Sequence, residues 1–304
     1  MSQLQLNEFE LHEVLFTGEF YSIHKATQPD VAGTFRLTLV DPEVSTSTAF
    51  RAAFRKDETS LANVHHENIP SLMAWGERDG QLFFVTEAVD GRSLRDRLDS
   101  GQAFELDELT DIAWQVASAL QYAHNVGLCH GGISSDSVIV SDELRVALPE
   151  FGLHAWRREA TPNHRHSFAL AASEDLAALG RLWKSSVQSL TDELSNTPEL
   201  TRKVSRILSI LERPVEELTA REVQGRLGDV LLTMSGESIE MVDHREGQQL
   251  SRRSIVDELF DAPIRAGVSV PEEAAAVQDD GASRRLRIAV GLGVVILLIW
   301  LLAR

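Results

Sequence analysis

The sequence has little cysteine and little positive charge. Cys129 is the only cysteine in 304 residues, so no disulfide can form within the chain, which fits a reducing compartment. The formal net charge is −17, whereas a surface that binds nucleic acid needs an excess of Lys and Arg to neutralise phosphates. We therefore expect no nucleic-acid partner. Cys129 lies in an apolar stretch and is expected to be a small buried residue rather than a nucleophile.

The two ends of the chain differ in character. The first residues, "MSQLQLNEFELHEV", lack a basic region followed by an apolar run, so no secretory signal peptide is predicted. Residues 288–303 contain no charged residue and no proline, and as a helix they would span ~24 Å. We predict a transmembrane helix over residues 286–303, since a buried helix of a soluble domain is rarely apolar on every face. The arginines just before it place the preceding domain in the cytoplasm.

Hydrophobic periodicity divides the remaining chain into a β-rich part and a helical part. Strands are predicted where β-branched and aromatic residues concentrate, over residues 35–40, 82–89, 138–140 and 145–148. Helices are predicted where apolar residues recur at three and four positions, over residues 49–63, from 106 to about 125, 175–190, 199–211 and 219–234. Residues 235–285 lose this periodicity and are interpreted as a flexible juxtamembrane linker.

A set of short sequence segments resembles a known protein family. The chain has "HGGISSDS" at residues 130–137, after a long amphipathic helix, and "EFG" at residues 150–152. It also has "HHENI" at residues 65–69, "FFVTEAVDGRSLRDRL" from residue 83 and "SEDLAALGRLW" from residue 173. In their order along the chain, these segments resemble the catalytic loop, Asp-Phe-Gly segment and flanking elements of eukaryotic-like (Hanks-type) Ser/Thr protein kinases. The resemblance implies an α+β, bilobal fold over residues 9–234, with an N-lobe at about 9–87 and a C-lobe at about 91–234.

The resemblance also shows which chemical groups this chain lacks. Kinases position and neutralise the transferred phosphoryl group with a Lys, a paired Glu, a catalytic Asp and two metal-binding side chains. The corresponding positions here are Thr38, Asp57, Gly132, Ser137 and Glu150. In the glycine-rich loop, Gly18 is retained, but Phe16 and Tyr21 stand where the family has glycine and would block the approach of backbone N–H groups to phosphate. The resemblance therefore implies a degenerate, pseudokinase-type domain with no catalytic residue and no metal site.

A nucleotide cleft can still be assigned by resemblance. Its residues would be Gly18, Arg36, the gatekeeper Thr86, the hinge residues Glu87 and Val89, and Glu150. Arg36 shares a strand face with Thr38, and three roles are open for it. It could contact phosphate in place of the missing Lys, fill the pocket and exclude nucleotide, or form an ion pair with Asp57 or Glu150. No cofactor is predicted firmly, and binding of ATP without turnover is left open.

Other residues are assigned structural or regulatory roles by the same resemblance. His130, Phe151, Gly152 and Asp175 are expected to hold the lobes together. The segment from Glu150 to Asp175 is short and lacks Ala-Pro-Glu, so the platform for a peptide substrate is truncated. Within it, Thr161 and Ser167 are either phosphorylation sites or ordinary loop residues. The run "HRH" at residues 164–166 is expected to be a solvated loop, because no further ligand lies at a suitable spacing.

These expectations combine into a functional hypothesis with two alternatives. The chain is predicted to be a single-pass, membrane-anchored cytoplasmic pseudokinase that acts as a scaffold or as an allosteric partner of an active kinase or another signalling protein. The first alternative is an atypical ATP-binding Ser/Thr kinase that uses Arg36 and Glu150 with a divalent metal. The second is a structural membrane protein in which the domain is a spacer.

Overall fold

The computed structural model describes residues 6–29, 31–161, 167–187, 197–212 and 218–235. All of these residues belong to one compact unit, Met1–Glu240. The predicted transmembrane helix, the predicted linker beyond Ser235 and the "HRH" run lie outside the described residues. Within the described part of the chain, none of the helices combines the length and the apolar character that crossing a membrane requires.

A five-stranded antiparallel sheet forms the smaller lobe. Its strands are β1 (Glu10–Thr17), β2 (Tyr21–Gln28), β3 (Val31–Val40), β4 (Leu72–Arg78) and β5 (Gln81–Glu87), in the order β1-β2-β3-β5-β4. Side chains alternate across the sheet, as the two-residue period of a strand requires. Phe83 and Val85 pack with Leu37 on one face, whereas Phe84 packs on the opposite face, toward the main core. Arg36 and Thr38 share that inner face, beside β5.

One long helix packs against the inner face of this sheet. The short helix α1 (Pro42–Ser45) leads into α2 (Thr48–Ala62), whose N-cap Ser47 accepts a hydrogen bond from the Phe50 backbone N–H. The apolar stripe predicted for this helix is confirmed, because Phe50, Phe54 and Leu61 are buried. Helix α2 therefore covers the sheet and presents Asp57 toward the larger lobe.

The larger lobe is helical and built around a central helix. Its elements are a small sheet of β6 (Arg92–Ser93), β7 (Ile139–Val140) and β8 (Val146–Ala147), with helices α3 (Leu94–Asp99), α4 (Leu106–Asn125), α5 (Leu153–Glu159), α6 (Phe168–Val187), α7 (Pro198–Glu212) and α8 (Ala220–Met234). Helix α4 buries its predicted stripe, including Leu109, Ile112 and Val116. It ends at a turn in which Gly127 has φ +81°, a conformation that favours glycine. The bilobal α+β prediction is therefore confirmed.

Several predicted boundaries are wrong. Strand β5 ends at Glu87, so Val89 lies beyond it. Helix α6 begins at Phe168 rather than at residue 175, because the preceding "FALAASE" consists mostly of good helix formers. Helix α5 was not predicted at all, although "LHAWRRE" also has ordinary helix propensity. This last omission matters most, because α5 supplies several side chains of the cleft.

Candidate functional site

An ion pair joins the two lobes inside the cleft. Arg36 Nη2 on β3 lies 3.0 Å from Glu150 Oε1 in the larger lobe, and the two side chains are only 10% and 6% exposed. Burial raises the pKa of the Glu150 carboxyl, and the Arg36 charge opposes that rise. Of the roles left open for Arg36, the structure shows the ion pair with Glu150.

The loop between β1 and β2 is folded down onto the larger lobe. Gly18 donates its backbone N–H to the Tyr21 carbonyl oxygen over 2.8 Å, which closes a tight turn. The Tyr21 hydroxyl lies 3.3 Å from His154 Nε2, and the Phe20 ring contacts the same imidazole with centroids 5.1 Å apart. Burial lowers the pKa of His154, so its neutral form is favoured in this contact. Two aromatic side chains therefore connect this loop to α5 of the larger lobe.

The His154 imidazole fills the space beside Gly132, the position of the catalytic Asp in the resembled family. A Cβ atom built on Gly132 would lie 2.3 Å from His154 Cδ2. A Cβ atom on Gly131 would lie 2.5 Å from the Ala155 backbone nitrogen and 2.9 Å from Arg158 Nη2. Helix α5 thus packs so closely on this turn that a side chain at Gly131 or Gly132 would require part of α5 to shift.

Asp57 has a partner different from the one that the resemblance implies. Its Oδ2 accepts a hydrogen bond of 2.9 Å from Trp156 Nε1 on α5. Burial raises the pKa of the Asp57 carboxyl, and the bond from Trp156 opposes this effect. The Trp156 ring also contacts Phe54 and Phe84 of the smaller lobe, with centroids 5.2 and 5.7 Å apart. The suggested ion pair between Asp57 and Arg36 is therefore replaced by a contact between α2 and α5.

The residues expected to hold the lobes together do so only in part. Asp175 accepts backbone hydrogen bonds from His130 over 2.9 Å and from Gly131 over 2.7 Å. His130 Nε2 lies 2.9 Å from the Pro149 carbonyl oxygen, and burial lowers the pKa of this imidazole to about 4. These bonds join the loop, the "EFG" segment and α6 within the larger lobe. Phe151 reaches the boundary between the two lobes, where it lines a cavity together with residues of the smaller lobe.

This cavity lies behind the ion pair. It has a volume of about 30 Å³, which is room for roughly one water molecule. Thr38, Thr86 and Glu150 are its polar lining residues, and the Thr86 hydroxyl is buried without a hydrogen-bond partner among the described residues. Glu87 lies outside it, exposed and accepting a hydrogen bond of 3.0 Å from the Ser71 backbone. The predicted cleft residues are therefore only partly brought together.

The arrangement does not fit a Mg²⁺–nucleotide complex. The Ser137 hydroxyl donates to the Ser134 carbonyl oxygen over 3.1 Å and accepts from the Ser134 N–H over 2.9 Å, so it serves the local turn. One oxygen of Glu150 is bonded to Arg36. Mg²⁺ requires near-octahedral oxygen coordination, and the phosphate-binding position, Thr38, is short and neutral. No phosphoryl-transfer step can be derived from these residues.

A sheet covered by one long helix, set above a helical lobe with a cleft between them, defines the protein-kinase fold. The model of the protein tyrosine and serine/threonine kinase family matches residues 9–173 of this sequence, which is more than half of the chain. The chain therefore belongs to the protein kinase family.

Individual relatives agree with this assignment. Serine/threonine-protein kinase PknF of Mycobacterium tuberculosis is 30% identical over 156 residues, which cover 49% of this chain and 32% of PknF. Serine/threonine-protein kinase pkn1 of Chlamydia caviae is 38% identical over 122 residues, covering 38% of this chain and 20% of that protein. Less than a third of each of these two relatives is matched. The crystal structure of a double mutant of the M. tuberculosis PknI kinase domain has a TM-score of 0.61 at 19% identity and covers 76% of this chain and 98% of that domain, which shows the fold alone.

Sequence reasoning missed the contribution of α5. Trp156 and Arg158 stand four and six residues beyond Gly152, where Trp156 bonds to Asp57 and Arg158 lies against Gly131. The adjacent glycines Gly131 and Gly132 were the available signal, because a loop without two side chains leaves room that a neighbouring element must fill.

Proposed function

We propose that this chain is a pseudokinase that works by binding other proteins, as a scaffold or an allosteric regulator in phospho-signalling. The observation that carries the proposal is the buried ion pair between Arg36 and Glu150. It uses the carboxylate that a kinase would offer to a metal ion, and it lies across the cleft in which a nucleotide would bind.

Three further features support the proposal. Gly132 has no side chain to accept a proton, Thr38 cannot neutralise phosphate, and the aromatic contact on His154 connects the loop between β1 and β2 to α5. Loss of a general base alone typically costs about 10²–10⁴ in rate. Loss of electrostatic stabilisation at the transferred phosphoryl group adds to that cost, although such effects do not multiply cleanly.

The partner and the location are part of the same proposal. The domain retains the internal contacts of a kinase while its catalytic positions are altered, which favours an active kinase or another signalling protein as the partner. The apolar run 288–303 supports attachment of the chain to a membrane as a single-pass protein with a cytoplasmic domain. Deleting residues 286–304 should then move the protein from the membrane fraction to the soluble fraction. Retention in the membrane fraction would show that this run is not the anchor.

Nucleotide titration of the full-length chain in detergent tests the main claim. Its melting temperature should not rise when ATP is added, with or without Mg²⁺ or Mn²⁺. A ligand at a hundred times its dissociation constant would stabilise the fold by about 2.7 kcal/mol, which is easily detected. An active kinase treated in parallel serves as the positive control. A clear metal-dependent rise would overturn the closed-cleft proposal.

A transfer assay separates the proposal from the alternative of an atypical kinase. Radiolabelled ATP should leave no label on the chain or on a general protein substrate. Label that disappears in the Glu150→Ala variant would instead establish an enzyme that uses this carboxylate.

A further inference from the structure

Three potential metal ligands converge on one point below the cleft. His124 lies in the last turn of α4, Cys129 lies just beyond that helix, and Asp175 lies on α6. Each residue offers one ligand atom, and these three atoms (an imidazole nitrogen, the thiol sulfur and a carboxylate oxygen) all lie within 4.8 Å of one another. His124 Nε2 and Asp175 Oδ2 are already 3.1 Å apart. In a tetrahedral zinc centre with these donors the ligand atoms are ~3.2–3.8 Å apart, so shifts of about 1 Å would complete the geometry.

The charges of the three groups match a divalent cation. Asp175 is 1% exposed, and among the described residues its ion-pair partner is an imidazole rather than a Lys or Arg side chain. A thiolate and a carboxylate together carry two negative charges, so a bound Zn²⁺ would make this buried cluster neutral, which a low-dielectric site favours. Nitrogen, sulfur and oxygen donors in one set select zinc over Mg²⁺ or Ca²⁺, which take oxygen ligands.

The surroundings supply the other requirements of a metal site. The two backbone N–H groups of His130 and Gly131 hold the Asp175 carboxylate in a fixed orientation, as outer-shell hydrogen bonds do around metal ligands. Cys129 also lines a cavity of about 220 Å³, which provides an entry path and room for a water ligand. Burial raises the pKa of the Cys129 thiol, and a coordinated cation reverses that preference because it stabilises the thiolate.

We propose that His124 Nε2, Cys129 Sγ and a carboxylate oxygen of Asp175 bind one Zn²⁺ ion, with a water molecule from the adjoining cavity as the fourth ligand. The ion would join the end of α4 and the loop that follows it to α6. It would therefore stabilise the segment that carries His130 and Gly132. None of the three ligands lines the cavity behind the Arg36–Glu150 ion pair, and the proposal does not depend on whether the cleft binds nucleotide.

The single cysteine makes the test specific. The full-length chain, freed of metal with a chelator and kept in detergent, is titrated with Co²⁺ as a spectroscopic substitute for Zn²⁺. A near-ultraviolet thiolate-to-cobalt charge-transfer band can arise only from Cys129, because no other cysteine exists in the chain. We expect this band to reach its limit at roughly one equivalent of Co²⁺ and to disappear when Zn²⁺ is added. Zinc measured by mass spectrometry after desalting should also be roughly one ion per chain.

Two variants and one control complete the experiment. Cys129→Ser should lack the band, and His124→Gln should need at least about tenfold more Co²⁺ to develop it. His65→Gln, which removes an exposed imidazole outside the cluster, should behave as the wild type. Circular dichroism checks that each variant is folded. Absence of the band from the folded wild type would overturn the proposal, and so would an unchanged titration of His124→Gln. Zinc retained equally by wild type and Cys129→Ser would show adventitious binding by other histidines only, which also overturns it.

Discussion

Gly132 and His154 are complementary in shape, because the imidazole occupies the volume that any side chain at residue 132 would need. The separation between a Cβ atom at Gly132 and His154 Cδ2 would be 2.3 Å, well inside van der Waals contact. Gly132 does not have a positive φ, so its backbone conformation accepts other residues. The steric barrier to a side chain at this position therefore comes from His154.

Restoring the acidic residue at this position should destabilise the protein. We expect Gly132→Asp to cost about 1–3 kcal/mol in the free energy of unfolding, because the new side chain must displace His154 from a packed site. In the His154→Ala background, the same substitution should cost much less. Urea denaturation of the two single variants and the double variant measures this coupling. Equal costs in both backgrounds would show that His154 is not the obstacle.

Removing Arg36 should be far more damaging than removing an exposed partner of an ion pair. Arg36→Ala leaves Glu150 buried without its cation and is expected to cost about 3–5 kcal/mol. Lys25→Ala is the control, because Lys25 and Glu13 form a pair at 3.4 Å with side chains 45% and 65% exposed, which is worth less than about 1 kcal/mol. The double variant Arg36→Met with Glu150→Leu should recover most of the loss, since it leaves no buried charge. A small effect of Arg36→Ala on the midpoint of urea unfolding would contradict a stabilising role for Arg36 beside the buried Glu150 carboxylate.

Replacing the unpartnered threonine of the cavity should stabilise the fold. The Thr86 hydroxyl is buried without a partner among the described residues, and Thr86→Val removes that polar group while keeping the shape. We expect a gain of about 1 kcal/mol in unfolding free energy. Thr110→Val is the matched control, because the Thr110 hydroxyl donates to the Leu106 carbonyl oxygen over 2.6 Å and its loss should cost about 0.5–1.5 kcal/mol. Thermal melts should show a higher melting temperature for Thr86→Val and a lower one for Thr110→Val. A lower melting temperature for Thr86→Val would contradict the prediction.

The protein should lose stability in mild acid. Burial lowers the pKa of His130 to about 4 and that of His154 below its ordinary 6.5. At these two imidazoles the unfolded chain binds more protons than the folded chain once the pH falls below about 6.5, and the free energy of unfolding decreases with it. The raised pKa values of the Asp57 and Glu150 carboxyls oppose part of this decrease. Melting temperatures measured from about pH 7 down to about pH 5 should fall, and His154→Gln should make that fall less steep. A melting temperature independent of pH over this range would contradict the assigned protonation states.

Much of the fold could be predicted from local pattern. The stripe of α4 and the β-branched and aromatic content of β3 and β5 depend on neighbours a few residues away, and the predicted helix and both predicted strands are present. The strand face shared by Arg36 and Thr38 follows from the same two-residue period. The end of β5 and the start of α6 were less predictable, because the preference of residues for strand or helix changes gradually along the chain.

Residue identity and spacing were enough to predict the kinase-like order of elements. They also showed that Gly132 has no side chain, that Thr38 carries no charge and that Ser137 has no amide group. What occupies the resulting space depends on tertiary packing. Arg36 and Glu150 are 114 residues apart, and His124 and Asp175 are 51 apart. Contacts at such separations depend on how closely the lobes and helices pack, and no local pattern encodes that distance.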